Sequence, residues 1–208
     1  MNDYNEYALN EFGVIEMTGK RQLQKEKTKE KIILAAAKVF SEKGFSAPTS
    51  AIASEAQISH GSIFVHFPTL DSLLTCLLNS FSQDISMELH TLTESGDIEK
   101  LLSMHIDILI KHENFYKRLI KEAVYLPEEA KNTFIAIQST VSIHFLQSLE
   151  QEIGAGKIKD IPFYLIFNTW LGLVHYYLLN GELFAPHESV LKRYKDILIK
   201  CFMTLIKQ

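Results

Sequence analysis

The sequence predicts an all-α protein of about nine helices, a small N-terminal head carried on a larger helical body. Two observations carry this. Apolar residues recur at i, i+3, i+4 and i+7 through most of the 208 residues. Gly, Pro, Ser and Thr interrupt them where helices stop and start. No strand-like alternation of any length is found, and no internal repeat.

With 47% hydrophobic and 22% charged residues, the chain builds a core that needs no disulfide or metal. Cys76 and Cys201 each sit in an apolar helical pattern and read as buried thiols of a reducing cytoplasm. The chain opens without a basic stretch followed by an apolar one, so no secretion signal is expected. The most apolar run, Ile161 to Leu179, is broken by Asn168, His175 and tyrosines, which suits a core helix and not a membrane span. A cytoplasmic protein without a membrane partner is expected.

The elements follow in order. In an N-terminal extension, residues 1–19, Tyr4, Tyr7, Ala8, Phe12 and Ile15 fall at helical spacing, consistent with an amphipathic helix or a loose tail. The head spans residues 20–74. Its first helix is expected from an N-cap at Thr28 to Lys43, with Ile33, Ala36, Ala37 and Phe40 as its apolar stripe. Gly44 stops it with positive φ, and Phe45 folds back onto the last turn. Thr49 caps a second helix ending at Ala56, which buries Ile52 and Ala53. Gln57-Ile58 makes a turn, and Ser59 caps a third helix, His60 to His66. Ile63 and Phe67 point inward; His60, Gly61, Ser62, Phe64 and His66 point outward. Pro68 ends this helix and Thr69 caps the next. Two short helices joined by a tight turn form a helix-turn-helix, whose second helix enters the major groove of DNA.

The body, residues 75–208, continues the helix begun near Leu70 to about Leu89. Further helices are expected at Asp97 to Lys111, Phe115 to Tyr125, Pro127 to Gly154, Ile161 to Leu179 and Glu188 to Lys207.

Charge supports the division. The chain carries a formal net charge of -4, yet from Lys20 to Phe67 eight basic side chains outnumber four acidic ones. A basic head on an acidic body suits a DNA-binding regulator. The residues expected at DNA are Lys27, Lys29, Thr49, Ser50, Ser59, His60, Gly61, Ser62, Phe64, His66 and Thr69. Ser62 and His60 reach base edges and Gly61 admits the backbone. Thr49 and Ser50 present a hydroxyl and helix-terminal amides to a phosphate. Lys25, Lys27 and Lys29 form an arm to flanking phosphates or a minor groove.

No catalytic or metal chemistry is expected. His105 and His112 lie two turns apart, about 10 Å, too far to share an ion. The sequence has no HExxH, phosphate loop or nucleophile elbow. No cofactor is expected.

Between Thr28 and Leu74, the run Ile33-x-x-Ala36-Ala37-x-x-Phe40-x-x-x-Gly44-Phe45, then Thr49, Ile52-Ala53, Ser59-x-Gly61-Ser62-Ile63-Phe64-x-x-Phe67-Pro68 and Leu73-Leu74, resembles the DNA-binding domain of the tetracycline-repressor (TetR) family. Four positions depart from the family pattern. Gln57 replaces a turn glycine, His60 and Leu70 replace frequent lysines, and Phe64 a frequent tyrosine. The last three changes imply thinner phosphate anchoring. The resemblance places Phe64 and His66 along the DNA backbone. It implies a bacterial transcriptional regulator, most often a repressor, that binds a palindromic operator as a homodimer and leaves it when a small molecule binds the body. An activator or architectural DNA binder without such a switch is the alternative. It further implies that the last two helices pair with their symmetry mates, for which Phe167, Trp170, Leu171, Val174, Leu178, Tyr194, Ile197, Leu198, Cys201 and Phe202 are the expected interface. The effector pocket is expected in the body among Met104, His105, Tyr116, Phe134, Ile137, Phe145, Trp170 and His175.

Overall fold

A computed structural model describes the backbone of residues 4–90 and 97–208, and the side chains of residues 20–89 and 97–208. The elements are α1 (Tyr4–Lys43), α2 (Thr49–Ala56), α3 (His60–His66), α4 (Leu70–His90), α5 (Ile98–Lys111), α6 (Glu113–Glu122), a 3₁₀ turn (Ala123–Tyr125), α7 (Glu128–Gly154), α8 (Phe163–Leu179), α9 (Gly181–Phe184) and α10 (Val190–Ile206). Among the described residues the only β-type pairing is an isolated antiparallel bridge between Ile158 and Lys207, which ties the loop after α7 to the end of α10.

Helix α1 departs most from the sequence expectation. It does not begin at Thr28 but runs unbroken from Tyr4. The Thr28 hydroxyl, expected as an N-cap, instead donates back to the Gln24 carbonyl at 2.9 Å. Whether residues 1–19 pack as an amphipathic face lies outside the described side chains. The buried face is also wider and turned by one residue. Ile32, Ala35, Ala36, Val39 and Phe40 are buried, while Ile33 and Ala37 are half-buried. The cause is that α2, α4 and α6 all pack on α1, so no single seam defines its inner face.

Local signals account for most of the remaining boundaries. Gly44 ends α1 at φ +89°. Asp97 caps α5 by accepting from Lys100 N at 3.1 Å, and Ser189 caps α10 through Lys192 N at 3.0 Å. Pro48, not Thr49, is the N-cap of α2, and Thr49 is its first helical residue. α6 starts at Glu113, two residues before the expected Phe115, directly after the C-cap of α5 at His112. The short α9 lies between the two last expected helices, with Asn180 as its N-cap.

One continuous core runs from Ile32 in the head to Ile206 at the C-terminus. α4 lies along α7, α10 packs on α5 and α8, and α6 is wedged between α1 and α8. Edge-to-face rings carry the core from head to body: Phe40–Phe45 at 5.6 Å, Phe45–Phe115 at 5.9 Å and Phe115–Phe81 at 5.8 Å. Neither cysteine is fully buried, contrary to expectation: Cys76 is half-buried and Cys201, on the outer side of α10, is exposed. Among the described residues no single helix is long and apolar enough to cross a membrane, and no group of three side chains is arranged to hold a metal.

Candidate nucleic-acid interface

The turn between α2 and α3 is closed by backbone hydrogen bonds. Gln57 N donates to Ser54 O at 3.2 Å and Ile58 N to Ala53 O at 3.0 Å. This places Gln57 at φ +56°, the left-handed region glycine prefers. Ala53 and Ala56 are buried, and their small side chains let α3 cross close to α2. Ile63 and Phe67 anchor α3 in the core, so its opposite side faces outward.

On that side, Ser59, His60, Gly61, Phe64 and Val65 are exposed and Ser62 and His66 half-buried. The groups are partly paired with one another. Thr49 Oγ1 meets His60 Nε2 at 2.6 Å, joining the starts of α2 and α3. Ser59 Oγ meets Ser62 Oγ at 2.7 Å, and the His60 ring lies edge-on to Phe64 at 5.3 Å. Ser50 is exposed in the first turn of α2, where backbone N–H groups lack helical acceptors. Thr69 caps α4 in a reciprocal pair with Ser72: its hydroxyl accepts from Ser72 N at 3.0 Å, and its own N donates to Ser72 Oγ at 3.2 Å.

Val65 was missed in the sequence. It is 73% exposed, one turn beyond Gly61 and Ser62 on the same face. An apolar side chain there suits a thymine methyl. Its signal was spacing: positions 61, 62 and 65 share a helix side.

The expected lysine arm is part of the continuous helix α1. Lys27 is exposed and Lys29 half-buried. Two residues apart on α1, they point about 200° away from each other, so one groove cannot take both. Lys38 is engaged by Glu55 at 2.8 Å.

In the body, six of the eight expected pocket residues fall into two aromatic–polar clusters. In one, the Trp170 indole N–H donates to His105 Nδ1 at 3.0 Å, and Phe202 lies 5.1 Å from Trp170 and 6.3 Å from Phe145. In the other, Tyr116 OH and His175 Nε2 are 2.9 Å apart, with Phe134 at 6.3 Å from the Tyr116 ring. Burial, helped by the neighbouring His175, lowers His105 to about 4. Burial also lowers His175 and pushes the Tyr116 phenol up. Ile137 is buried and Met104 half-buried.

The expected interface residues also divide. Trp170, Val174, Leu178 and Phe202 are fully enclosed in their own chain, and Phe167 and Leu198 are nearly so. Trp170 turns to His105 of α5 and to Phe202, and Phe167 and Phe202 turn to Phe145 of α7. Leu171 and Tyr194 are half-buried, and Ile197 and Cys201 are exposed. Beside them the outer faces of α8 and α10 expose Tyr164, Leu165, Tyr176, Leu179 and Leu205.

Residues 32–75 match the family described as bacterial regulatory proteins, tetR family. Over 103 residues, 46% of this chain and 35% of the relative, the sequence is 30% identical to an uncharacterized HTH-type transcriptional regulator, YuxN, of Bacillus subtilis. The chain thus spans about a third of that relative's length. A TetR-family regulator from Agrobacterium tumefaciens shares the fold at TM-score 0.74 and 18% identity, covering 88% of this chain and 100% of that one. The regulator FadR from Bacillus subtilis, solved with stearoyl-CoA, does so at 0.68 and 18%, covering 84% and 97%.

Proposed function

We propose that the chain, whose residues 32–75 match the tetR family of bacterial regulatory proteins, is a homodimeric repressor that places two copies of α3 in successive major grooves of a palindromic operator. The observation that carries this is the outward side of α3, where Gly61, Ser62 and Val65 are presented together by a helix-turn-helix anchored through Ile63 and Phe67. Ser62 and His60 read base edges, Thr49 and Ser50 meet a phosphate, and the exposed faces of α8 and α10 around Leu165, Tyr176, Ile197 and Leu205 bury one another between copies. Selection of genomic fragments by the full-length protein tests the reading. A palindrome with half-sites about 34 Å apart is expected; recovery of no common sequence would sink it.

The effector enters the body between the His105–Trp170 and Tyr116–His175 pairs and shifts α4. The FadR structure was solved with stearoyl-CoA, and an acyl chain would suit this apolar interior. A charged headgroup would not: the buried polar residues among those described are Thr75, His105 and Ser148, with no lysine or arginine. The effector is therefore an uncharged, largely apolar molecule with a hydrogen-bonding group. The full enclosure of Trp170 and Phe145 favours a second reading, an activator or architectural protein without such a switch. Operator affinity unchanged across a panel of neutral amphiphiles would select that reading.

A further inference from the structure

The end of α1 is fastened to the body by two half-buried side chains of α6, Arg118 and Glu122. Phe45 N–H donates to Glu122 Oε2 at 2.9 Å. Arg118 donates through Nη1 to Glu122 Oε1 at 3.2 Å and through Nη2 to the Glu42 carbonyl at 3.1 Å. One bond satisfies an acceptor at the C-terminus of α1, where carbonyls lack helical donors, and the other a donor in the following turn. The carboxylate rests where Gly44 leaves room: a Cβ at Gly44 would come within 2.6 Å of Glu122 Oε1. Elsewhere the seam is open, as a groove of about 550 Å³ lined by Phe45, Leu70, Leu74, Glu122, Tyr125 and Leu126.

The opposite end of α6 is bonded just as directly to α10. Glu113 accepts from Val190 N at 3.1 Å and from the Ser189 hydroxyl. Ten residues of helix, about 15 Å long, thus connect the last turn of the head's first helix to the first turn of the helix that carries Ile197 and Leu205.

We propose that Glu122 and Arg118 are positioning residues for operator binding: by clamping Glu42 and Phe45 they make the head's orientation follow α6, and through Glu113 the frame of α10. The proposal rests on the reading of the chain as a dimeric DNA binder. It predicts that loss of the clamp spoils simultaneous fit to two half-sites and leaves each head's attraction to phosphate intact.

The test uses the full-length protein with Glu122→Ala, Arg118→Ala and Glu122→Gln. The readouts are amide exchange at Phe45, dimer mass, and affinity for two duplexes, one selected by the wild type and one of scrambled sequence. In Glu122→Ala, Phe45 exchange is expected to rise and affinity for the selected duplex to fall about tenfold. Affinity for the scrambled duplex and dimer mass should be unchanged. Glu122→Gln keeps an acceptor for Phe45 N–H and should recover most of the loss; Arg118→Ala should fall between. Wild-type affinity in Glu122→Ala and Arg118→Ala, or an equal loss on both duplexes, would overturn the proposal. If Glu122→Ala fails to fold, the other two variants decide by the same criteria. A wild type that selects no duplex would overturn the DNA reading alone, and Phe45 exchange would still decide whether the clamp exists.

Discussion

The hydrogen bond between Trp170 and His105 fixes a protonation state. An indole N–H only donates, so His105 Nδ1 must accept and the ring must be neutral. Burial holds its folded-state value near 4, below the ordinary 6.5. Between those values the unfolded chain binds the extra proton, so the stability due to a neutral His105 is full above about pH 6.5 and lost as pH falls toward 4. The loss amounts to at most about 3 kcal/mol. Denaturant unfolding across that range should show it, and His105→Gln, which keeps an acceptor for the indole, should flatten the curve. At Gln57 the strain is in the backbone. Gln57→Gly should raise the unfolding midpoint by about 1 kcal/mol of stability, because φ +56° disfavours a side chain; an unchanged or lowered midpoint would contradict this. Ser62→Ala and Val65→Ala should alter which operators are preferred, read by repeating the selection, and a variant that keeps the wild-type preference is not a base contact.

At the scale of elements, α1 sets the clearest test. Lys27 and Lys29 lie on opposite sides of one helix, so Ala substitution should lower the salt slope of DNA binding by about 0.9 at one of them and leave it unchanged at the other. Equal drops at both would mean that the helix unwinds on DNA. Helix order was legible in the sequence because Gly44, Pro127 and Asp97 act locally through backbone angle or capping. Less legible was the start of α1, since a Thr that accepts at an N-cap looks the same in sequence as Thr28, which donates to Gln24 O. Of the expected stripe on α1, Ala36 and Phe40 are buried and Ile33 and Ala37 only half-buried, because three helices, not one, pack on it.

In the whole molecule, which apolar residues face inward depends on the packing of distant helices and is not written in local spacing. Helix α8 is apolar nearly all round, so Trp170, Val174 and Leu178 could not be told from Leu165, Tyr176 and Leu179 until partners occupied one side. The outer set bears on the proposed dimer. On that proposal, Ile197→Glu or Leu205→Glu should give a folded monomer in sedimentation and lower operator affinity at least tenfold, whereas a variant that stays dimeric would move the interface elsewhere. The candidate site in the head was more legible than the clamp, because a helix-turn-helix is local, while Glu122 and Phe45 are 77 residues apart in the chain.

The contact of Glu122 with Gly44 and Phe45 also bears on how such a protein is taken apart and rebuilt. A graft that cuts at residue 74 would carry away the DNA-reading segment and leave its mooring behind, since Arg118 and Glu122 belong to the body by sequence. Exchange of specificity between related regulators therefore calls for a discontinuous transplant, with the segment from Phe115 to Glu122 travelling with the head it holds.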